Sequence, residues 1–239
     1  MKKGEKRWGE IENGELTTLK TLKTNIQITN IPITNYNIQL IIQGNGMEIL
    51  VKPCGEFYTN CYIVDKKIII DPGVGAFEFV KEHVKEPIAI INTHGHFDHM
   101  WDDKAIKEYY KIPVYIHKND AFMLEKDPFG YNPPKITPDI LLDEGEYKIG
   151  DFNIKIRHFP GHTPGSITIE IGENMFSGDF IFDGSIGRVD FPYSNPEDMK
   201  KSIKKFLQIP YDKSILPGHG ATTTVKKAQK FLPMWLDYL

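Results

Sequence analysis

Apolar residues recur along most of the chain with the two spacings that distinguish strands from helices. Runs such as CYIVD and KIIID are short, rich in β-branched residues and bounded by turns, which predicts strands. The stretch 76–86 instead carries its apolar residues on one face of a helix. The runs that predict strands lie at 47–53, 61–65, 67–71, 88–92, 113–117, 154–159, 166–171, 174–177 and 214–216.

Helical patterns separate several of these strands. The pattern at 195–207 begins with Asn195 as an N-cap and Pro196 in the first turn, both of which favour a helix start. Pro233 is expected to kink the last helix, because proline lacks the N–H of a helical hydrogen bond. Two strand-rich halves with interspersed helices indicate a layered α/β fold. The helical patterns lie at 76–86, 103–111, 195–207 and 222–239.

Residues 1–46 differ from the rest of the chain. They are rich in Thr, Asn and Lys and contain few large apolar residues before Ile38. We therefore predict an N-terminal extension at 1–46, either weakly structured or forming an edge strand, followed by one domain at 47–239. An alternation around Ile26–Ile33 is the strand signal within the extension.

Composition narrows the class of protein. The 239 residues are 40% hydrophobic and 26% charged, as in an ordinary globular protein. The net charge of −3 argues against nucleic acid as a partner. The chain has no apolar run of about 18 residues and no secretory signal at its start, so no membrane span is expected. Two cysteines, Cys54 and Cys61, are expected to be buried thiols in a reducing cytoplasm.

The stretch HGHFDH concentrates titratable groups directly after the apolar run 88–92. His94 and His96 are two residues apart and can point the same way from extended chain. Asp98 and His99 follow, where the chain turns into the next helix. Four ligands at this spacing fit two adjacent ions better than one, so we assign His94 and His96 to a first ion and Asp98 and His99 to a second.

Three further polar residues follow apolar strands elsewhere in the chain. His162 lies in FPGHTPG, Asp179 in MFSGDF and His219 in LPGHG, each beside glycine, which lets backbone approach closely. Side chains at strand ends collect along one rim of a sheet. We therefore expect His162 to complete the first site, His219 the second, and Asp179 to bridge both.

Other titratable residues receive different interpretations. Asp71 also ends an apolar strand and could orient a metal-ligating histidine, or it could initiate the turn before Pro72. The remaining histidines lack the Gly and Asp context of the cluster, and we leave them outside the site. These histidines are His83, His117 and His158.

The motifs HGHFDH, PGHTPGS, SGD and PGHG resemble those of the metallo-β-lactamase superfamily. Within it, FSGDFIFDGSIGRVDFP and LPGHGATTT are similar to the single-domain branch of the glyoxalase II-related hydrolases, the hydroxyacylglutathione hydrolase-like enzymes. The resemblance covers residues 47–239. It implies a four-layer αββα sandwich with two Zn²⁺ ions at one edge, iron or manganese being the alternative metals.

The resemblance also implies a reaction and a substrate. A small-molecule thioester such as S-lactoylglutathione is expected, with Asp98 and Asp179 as the catalytic carboxylates. Arg188 falls where glyoxalase II carries a lysine that contacts the substrate carboxylate; it could bind a carboxylate or pair with Asp190. The lactamases proper lack a bridging aspartate, so Asp179 argues against β-lactam cleavage.

Two other reactions remain open from the sequence. Lactone hydrolysis would release an alkoxide that needs a proton, whereas a thiolate of pKa about 8.5 leaves without one, so a thioester is favoured. A persulfide dioxygenase would use a single iron held by His94, His162 and Asp179. Enzymes of that type usually carry a cysteine after PGHT-x-G, where this chain has Ser166.

Overall fold

A computed structural model describes residues 27–31, 38–42 and 46–239, and two β-sheets dominate these ranges. Within them, the first sheet has eight strands and the second has six, each in chain order. The first contains β1 Gln27–Ile31, β2 Ile38–Ile42, β3 Glu48–Cys54, β4 Thr59–Val64, β5 Ile68–Ile70, β6 Ala89–Ile91, β7 Val114–His117 and β8 Ile140–Leu142. The second contains β9 Gly145–Ile149, β10 Phe152–His158, β11 Ile167–Ile171, β12 Asn174–Gly178, β13 Ser214–Pro217 and β14 Thr223–Thr224.

Helices connect the strands that run parallel. Strands β1 to β5 pair antiparallel and are joined by short turns where the structure describes the connection, whereas β5 to β8 pair parallel and need longer crossovers. The same holds for the parallel pair β12 and β13, which α4 connects. The helices are α1 Ala76–His83, α2 Phe97–Met100, α3 Asp103–Tyr110, α4 Pro196–Phe206 and α5 Val225–Tyr238, with a 3-10 helix at Ala121–Leu124.

The alternation of side chains along the strands divides the core into three hydrophobic layers. In β5, Ile68 and Ile70 face the second sheet, whereas Ile69 packs beneath α1 and α3. Phe206 of α4 and Leu232 of α5 cover the outer face of the second sheet. Three such layers, counted among the described residues, separate four layers of secondary structure, so the predicted αββα sandwich is confirmed.

Several local expectations differ from the structure. The first helix ends at His83 rather than at residue 86, and α5 continues through Pro233. Strands β8 and β9 carry no prediction, because their outward residues are exposed and their alternation is short. Strands β1 and β2 lie ahead of residue 47 and extend the first sheet, while the other residues before 46 lie outside the described ranges.

Hydrogen bonds join the two sheets where the strands that precede the predicted ligands end. The Ile167 N–H donates to the Thr93 carbonyl at 2.9 Å, and the Asn60 N–H donates to the Gly218 carbonyl at 2.7 Å. Strands β6, β10, β12 and β13 each lead into a loop that carries predicted ligands. The inter-sheet contacts therefore fix these loops relative to one another.

Across the described ranges, none of the helices combines the length and apolar character that a bilayer crossing requires.

We predict that Ile169→Ala destabilises the fold strongly. Ile169 is fully buried between the sheets, and removing its methyl groups leaves a cavity that should lower the free energy of unfolding by about 2–5 kcal/mol. Urea denaturation measures the change. Leu141→Ala is the control, because Leu141 is 56% exposed and its loss should cost less than about 1 kcal/mol. Equal losses for the two variants would contradict the importance of the central layer.

Candidate metal centre

The loop after β6 carries four predicted ligands, two on extended backbone and two on a helical turn. The chain remains extended through His96, which has φ −70° and ψ 143°. The single turn of α2 then begins at Phe97, and the His99 N–H donates to the His96 carbonyl at 3.0 Å. Extended chain followed by a helical turn therefore sends His94 and His96 to one side of the site and Asp98 and His99 to the other.

The seven predicted ligands assemble into three overlapping groups, and all of them are buried or half-buried. Within each group, the atoms able to bind a metal lie within 4.8 Å of one another. Residues from four separate loops are thereby brought together at the end of the sandwich. The groups are His94, His96 and His162; His94, His99 and Asp179; and Asp98, His99 and His219.

In the first group, hydrogen bonds leave unpaired nitrogen atoms pointing inward. The Nδ1 of His162 lies 2.8 Å from the Arg188 carbonyl, which can only accept, so Nδ1 carries the proton. The His162 Nε2 then has a free lone pair and faces the His96 Nδ1 at 3.0 Å. The Nε2 of His94 is buried without a hydrogen-bond partner. Unpaired buried nitrogens of this kind are what a metal ion would satisfy.

The group of Asp98, His99 and His219 repeats this arrangement. His219 Nδ1 lies 3.0 Å from the Phe57 carbonyl, and His99 Nδ1 lies 3.0 Å from the Asp71 carboxylate. Both Nε2 atoms are left facing each other at 3.3 Å, an arrangement that requires a proton or a metal ion between them. The Asp98 Oδ2 lies within 3.5 Å of both atoms.

Asp179, which shares a group with His94 and His99, lies between the other two groups, those of His162 and His219. Its Oδ2 is 3.5 Å from the His162 Nε2 and 3.4 Å from the His219 Nε2, and its Oδ1 is 3.4 Å from the His99 Nε2. One carboxylate thus reaches ligands of both groups. Gly218 permits this packing, since a Cβ there would collide with Asp179 and His99. The donor set of imidazoles and carboxylates fits a pair of divalent ions.

The surroundings of His94 and His96 favour the neutral imidazole, which is the form that binds a metal ion. Burial, reinforced by neighbouring histidines, lowers the pKa of His94 well below its usual value and that of His96 to about 3. Both imidazoles are therefore neutral at pH 7, as metal ligands must be.

Around Asp98, His99 and His219, interactions between carboxylates and imidazoles determine the direction of the pKa shifts. Burial opposes ionisation of Asp98, but the neighbouring His99 lowers its pKa to about 2. Burial likewise opposes a charge on His219, yet Asp179 raises the pKa of its imidazole to about 9. In the absence of an ion, protons on the histidines offset the carboxylates, and a divalent cation would take over that role.

Asp71 supports the centre from behind. Its Oδ2 accepts the Thr93 hydroxyl at 2.6 Å and lies 3.0 Å from the His99 Nδ1, and its Oδ1 accepts the Thr93 N–H at 2.7 Å. Asp71 therefore lies within hydrogen-bond distance of a predicted ligand, and its carbonyl also accepts the Gly73 N–H at 2.9 Å in the turn that follows; the orienting role stays a prediction. Its backbone has φ +50°, a left-handed conformation that Asp and Asn adopt more readily than most residues.

Asp120 is not among the site residues predicted from the sequence. It is fully buried beyond β7 and accepts three hydrogen bonds, from the Gly95 N–H at 3.0 Å, the Thr163 hydroxyl at 2.6 Å and the Gly165 N–H at 2.5 Å. One carboxylate therefore ties the His94–His96 loop to the loop of His162. An aspartate shortly after an apolar strand was the available signal, the same signal that identified Asp179.

Other residues considered from the sequence lie outside the three groups. The Nε and Nη2 atoms of Arg188 donate to the Asp190 carboxylate at 2.8 and 2.6 Å, so the guanidinium forms the ion pair that was the alternative to substrate binding. His117 and His158 stack on each other with ring centroids 4.0 Å apart. His83 contacts the Phe79 carbonyl within α1.

Comparison with known proteins gives consistent matches. The family model described as the Metallo-beta-lactamase superfamily matches residues 54–219. The hydroxyacylglutathione hydrolase GloC of Haemophilus influenzae is 35% identical, over 78% of this chain and 97% of its own length. Among solved structures, the BLEG-1 B3 metallo-beta-lactamase has a TM-score of 0.71 and 32% identity, covering 79% of this chain and 99% of its own. TTHA1623 in a di-iron-bound form has a TM-score of 0.63 and 28% identity, covering 86% and 98%.

Asp71→Asn should weaken metal binding by about 10- to 100-fold, because the amide removes an acceptor from His99 while the left-handed backbone is retained. Competition with a chromogenic chelator measures the affinity. Asp143→Asn is the control, since the Asp143 side chain is 61% exposed and lies outside the three groups. Unchanged affinity in Asp71→Asn would refute the orienting role.

Asp120→Asn should lower the free energy of unfolding by about 1–3 kcal/mol, because one side of the amide would present an N–H to another donor. Chemical denaturation measures this loss. We also expect weaker metal retention, since the Gly95 and Gly165 loops lose their common acceptor. A variant with wild-type stability and metal content would show that this carboxylate does not hold the loops.

Proposed function

The chain belongs to the metallo-beta-lactamase superfamily, and on that basis we propose that it is a binuclear zinc hydrolase that cleaves thioesters in the manner of glyoxalase II. The substrate class is a small-molecule thioester, with S-lactoylglutathione as the representative. The observation that carries the proposal is Asp179, whose two oxygens lie within 3.5 Å of histidine nitrogens from both groups. A carboxylate in that position suits two ions rather than one.

Zinc ions bound there would lower the pKa of water to about 7 and polarise the thioester carbonyl. The chain's own carboxylates handle the proton. Asp98, ionised and accepting the Thr59 hydroxyl at 2.7 Å, takes the proton of the attacking water. The C–S bond breaks with its electron pair on sulfur, and the thiolate leaves without needing that proton. Lactone cleavage would require Asp98 to return the proton to an alkoxide, which is why the thioester is preferred.

Arg188 is the proposed contact for a substrate carboxylate. Its ion pair with Asp190 is largely exposed, with 64% and 65% of the two side chains accessible. An exposed pair contributes little to stability, so it can open for a bidentate contact with a ligand.

The likeness to GloC supports the thioester class, and we place the enzyme in the cytoplasm, without a nucleic-acid partner.

Iron chemistry is the second candidate. His94, His162 and Asp179 could form the two-histidine, one-carboxylate set of a persulfide dioxygenase. The likeness to a di-iron-bound protein favours iron as an alternative metal. Two ions with hydrolysis, or one iron with oxygen consumption, are the distinguishable outcomes.

Elemental analysis of the purified protein and a substrate panel test the proposal. We expect two zinc ions per chain and hydrolysis of S-lactoylglutathione exceeding that of a simple lactone. The panel also contains glutathione persulfide, to detect oxygen uptake, and a β-lactam, because of the likeness to BLEG-1. One iron per chain together with oxygen uptake would refute the hydrolase proposal and support the dioxygenase.

His162→Ala should lose metal from the first site and lower kcat/KM by more than about 100-fold, since a ligand and its orienting hydrogen bond are both removed. His83→Ala is the control, because this histidine contacts the Phe79 carbonyl within α1 and lies outside the ligand groups. Retained metal and turnover in His162→Ala would refute its assignment.

A further inference from the structure

Four aromatic side chains form a continuous surface beside the candidate metal centre, and we call it the aromatic wall. Its members are Phe97, Phe129, Tyr131 and Phe191. Phe97 stacks on Tyr131 with ring centroids 4.0 Å apart, and Phe129 lies 5.9 Å from Phe97. Phe191 continues the wall at 5.3 Å from Phe129. The spacings of 5.9 and 5.3 Å lie within the range of about 4.5–7 Å that favours aromatic contacts, and the Phe97–Tyr131 pair is stacked more closely.

The wall begins at the metal ligands themselves. The Phe129 ring lies 5.0 Å from the His96 ring, and the Phe191 ring lies 5.9 Å from His96 and 6.0 Å from His162. A carbonyl bound near His96 and His162 can therefore place one of its substituents against these aromatic rings.

The wall is held in place yet remains open to solvent. Tyr131 is 52% exposed and Phe129 and Phe191 are half-buried, whereas Phe97 is buried. The Arg188 guanidinium lies over the Phe191 ring, 4.2 Å from its centroid. The accessible surface of the wall is therefore formed by Phe129, Tyr131 and the part of Phe191 that Arg188 leaves open. The Phe129 N–H donates to the Asp127 carboxylate at 2.9 Å, which fixes its loop. The Ser194 hydroxyl donates to the His162 carbonyl at 2.6 Å, which ties the Phe191 loop to the metal centre.

We infer that the acyl group of the substrate is large and apolar, preferably aromatic, and that it binds against the aromatic wall. This inference rests on the proposed function, since it concerns the substrate of the same site. A lactoyl group is too small and too polar to cover the wall. A phenyl ring would bury apolar surface on both partners, which corresponds to about 10- to 100-fold tighter binding.

Binding of the carboxylate product tests this inference without depending on turnover. The probes are phenylacetate and acetate, which present the same carboxylate to the zinc-loaded protein and differ by the phenyl ring. Isothermal titration calorimetry should give phenylacetate about 10- to 100-fold tighter binding than acetate. Equal affinities, or no detectable preference, would overturn the inference.

Substitutions locate the preference on the wall. Phe129→Ala and Phe191→Ala, made separately, should each reduce the ratio of phenylacetate affinity to acetate affinity at least about threefold, with acetate measured in each variant as the internal reference. Two variants are used because either loop could rearrange in one of them. Tyr109→Ala is the control, since this exposed aromatic residue of α3 contacts Phe77 instead of the wall. A preference that survives in both wall variants would also overturn the inference.

Turnover separates this inference from the proposed function. With the thiol kept as glutathione, kcat/KM should be higher for the phenylacetyl thioester than for the lactoyl thioester. Failure to hydrolyse either ester would refute the thioester hydrolase, and the calorimetric result would still decide the acyl site. Faster hydrolysis of the lactoyl ester, with no preference for phenylacetate in binding, would support the hydrolase and refute the acyl site.

Discussion

The structure depends on a set of buried histidine nitrogens that converge at one place and can face one another only with a proton or a cation between them. His99 and His219 present their Nε2 atoms to each other at 3.3 Å, and His162 presents its Nε2 to His96 at 3.0 Å. Such contacts repel unless a cation or a proton lies between the atoms. The outer nitrogens of three of these rings are each engaged by a backbone carbonyl or a carboxylate, so the rings cannot turn away to relieve the repulsion.

Rigidity of this kind has to come from the rest of the fold. The three hydrophobic layers fix the ends of the strands from which the ligand loops depart. Hydrogen bonds such as the one from Ile167 to Thr93 then set the distance between the sheets at the site. Asp120 completes the arrangement by joining two loops that belong to different sheets. Packing sets the positions of the loops, and buried carboxylates set their orientation.

Local patterns in the sequence predict many of the strands and the predicted ligands. They do not predict features that depend on pairing between distant parts of the chain. Apolar runs predict β5 and β6 well because both faces are buried, whereas β9 alternates between exposed and half-buried positions and gives a weak signal. The glycine-flanked strand ends identify the residues that meet in the three groups. Asp120 is different, because two of its three partners are backbone N–H groups 25 and 45 residues away, and residue identity does not reveal where a backbone donor will lie.

The separation of the ligands along the chain has a consequence for biosynthesis. His99 and His219 are 120 residues apart, and they belong to loops that follow different sheets. Before the second sheet is translated, the nascent first sheet has the HGHFDH cluster but lacks His162, Asp179 and His219. The full set of seven side chains can therefore meet only after both sheets have been synthesised and docked.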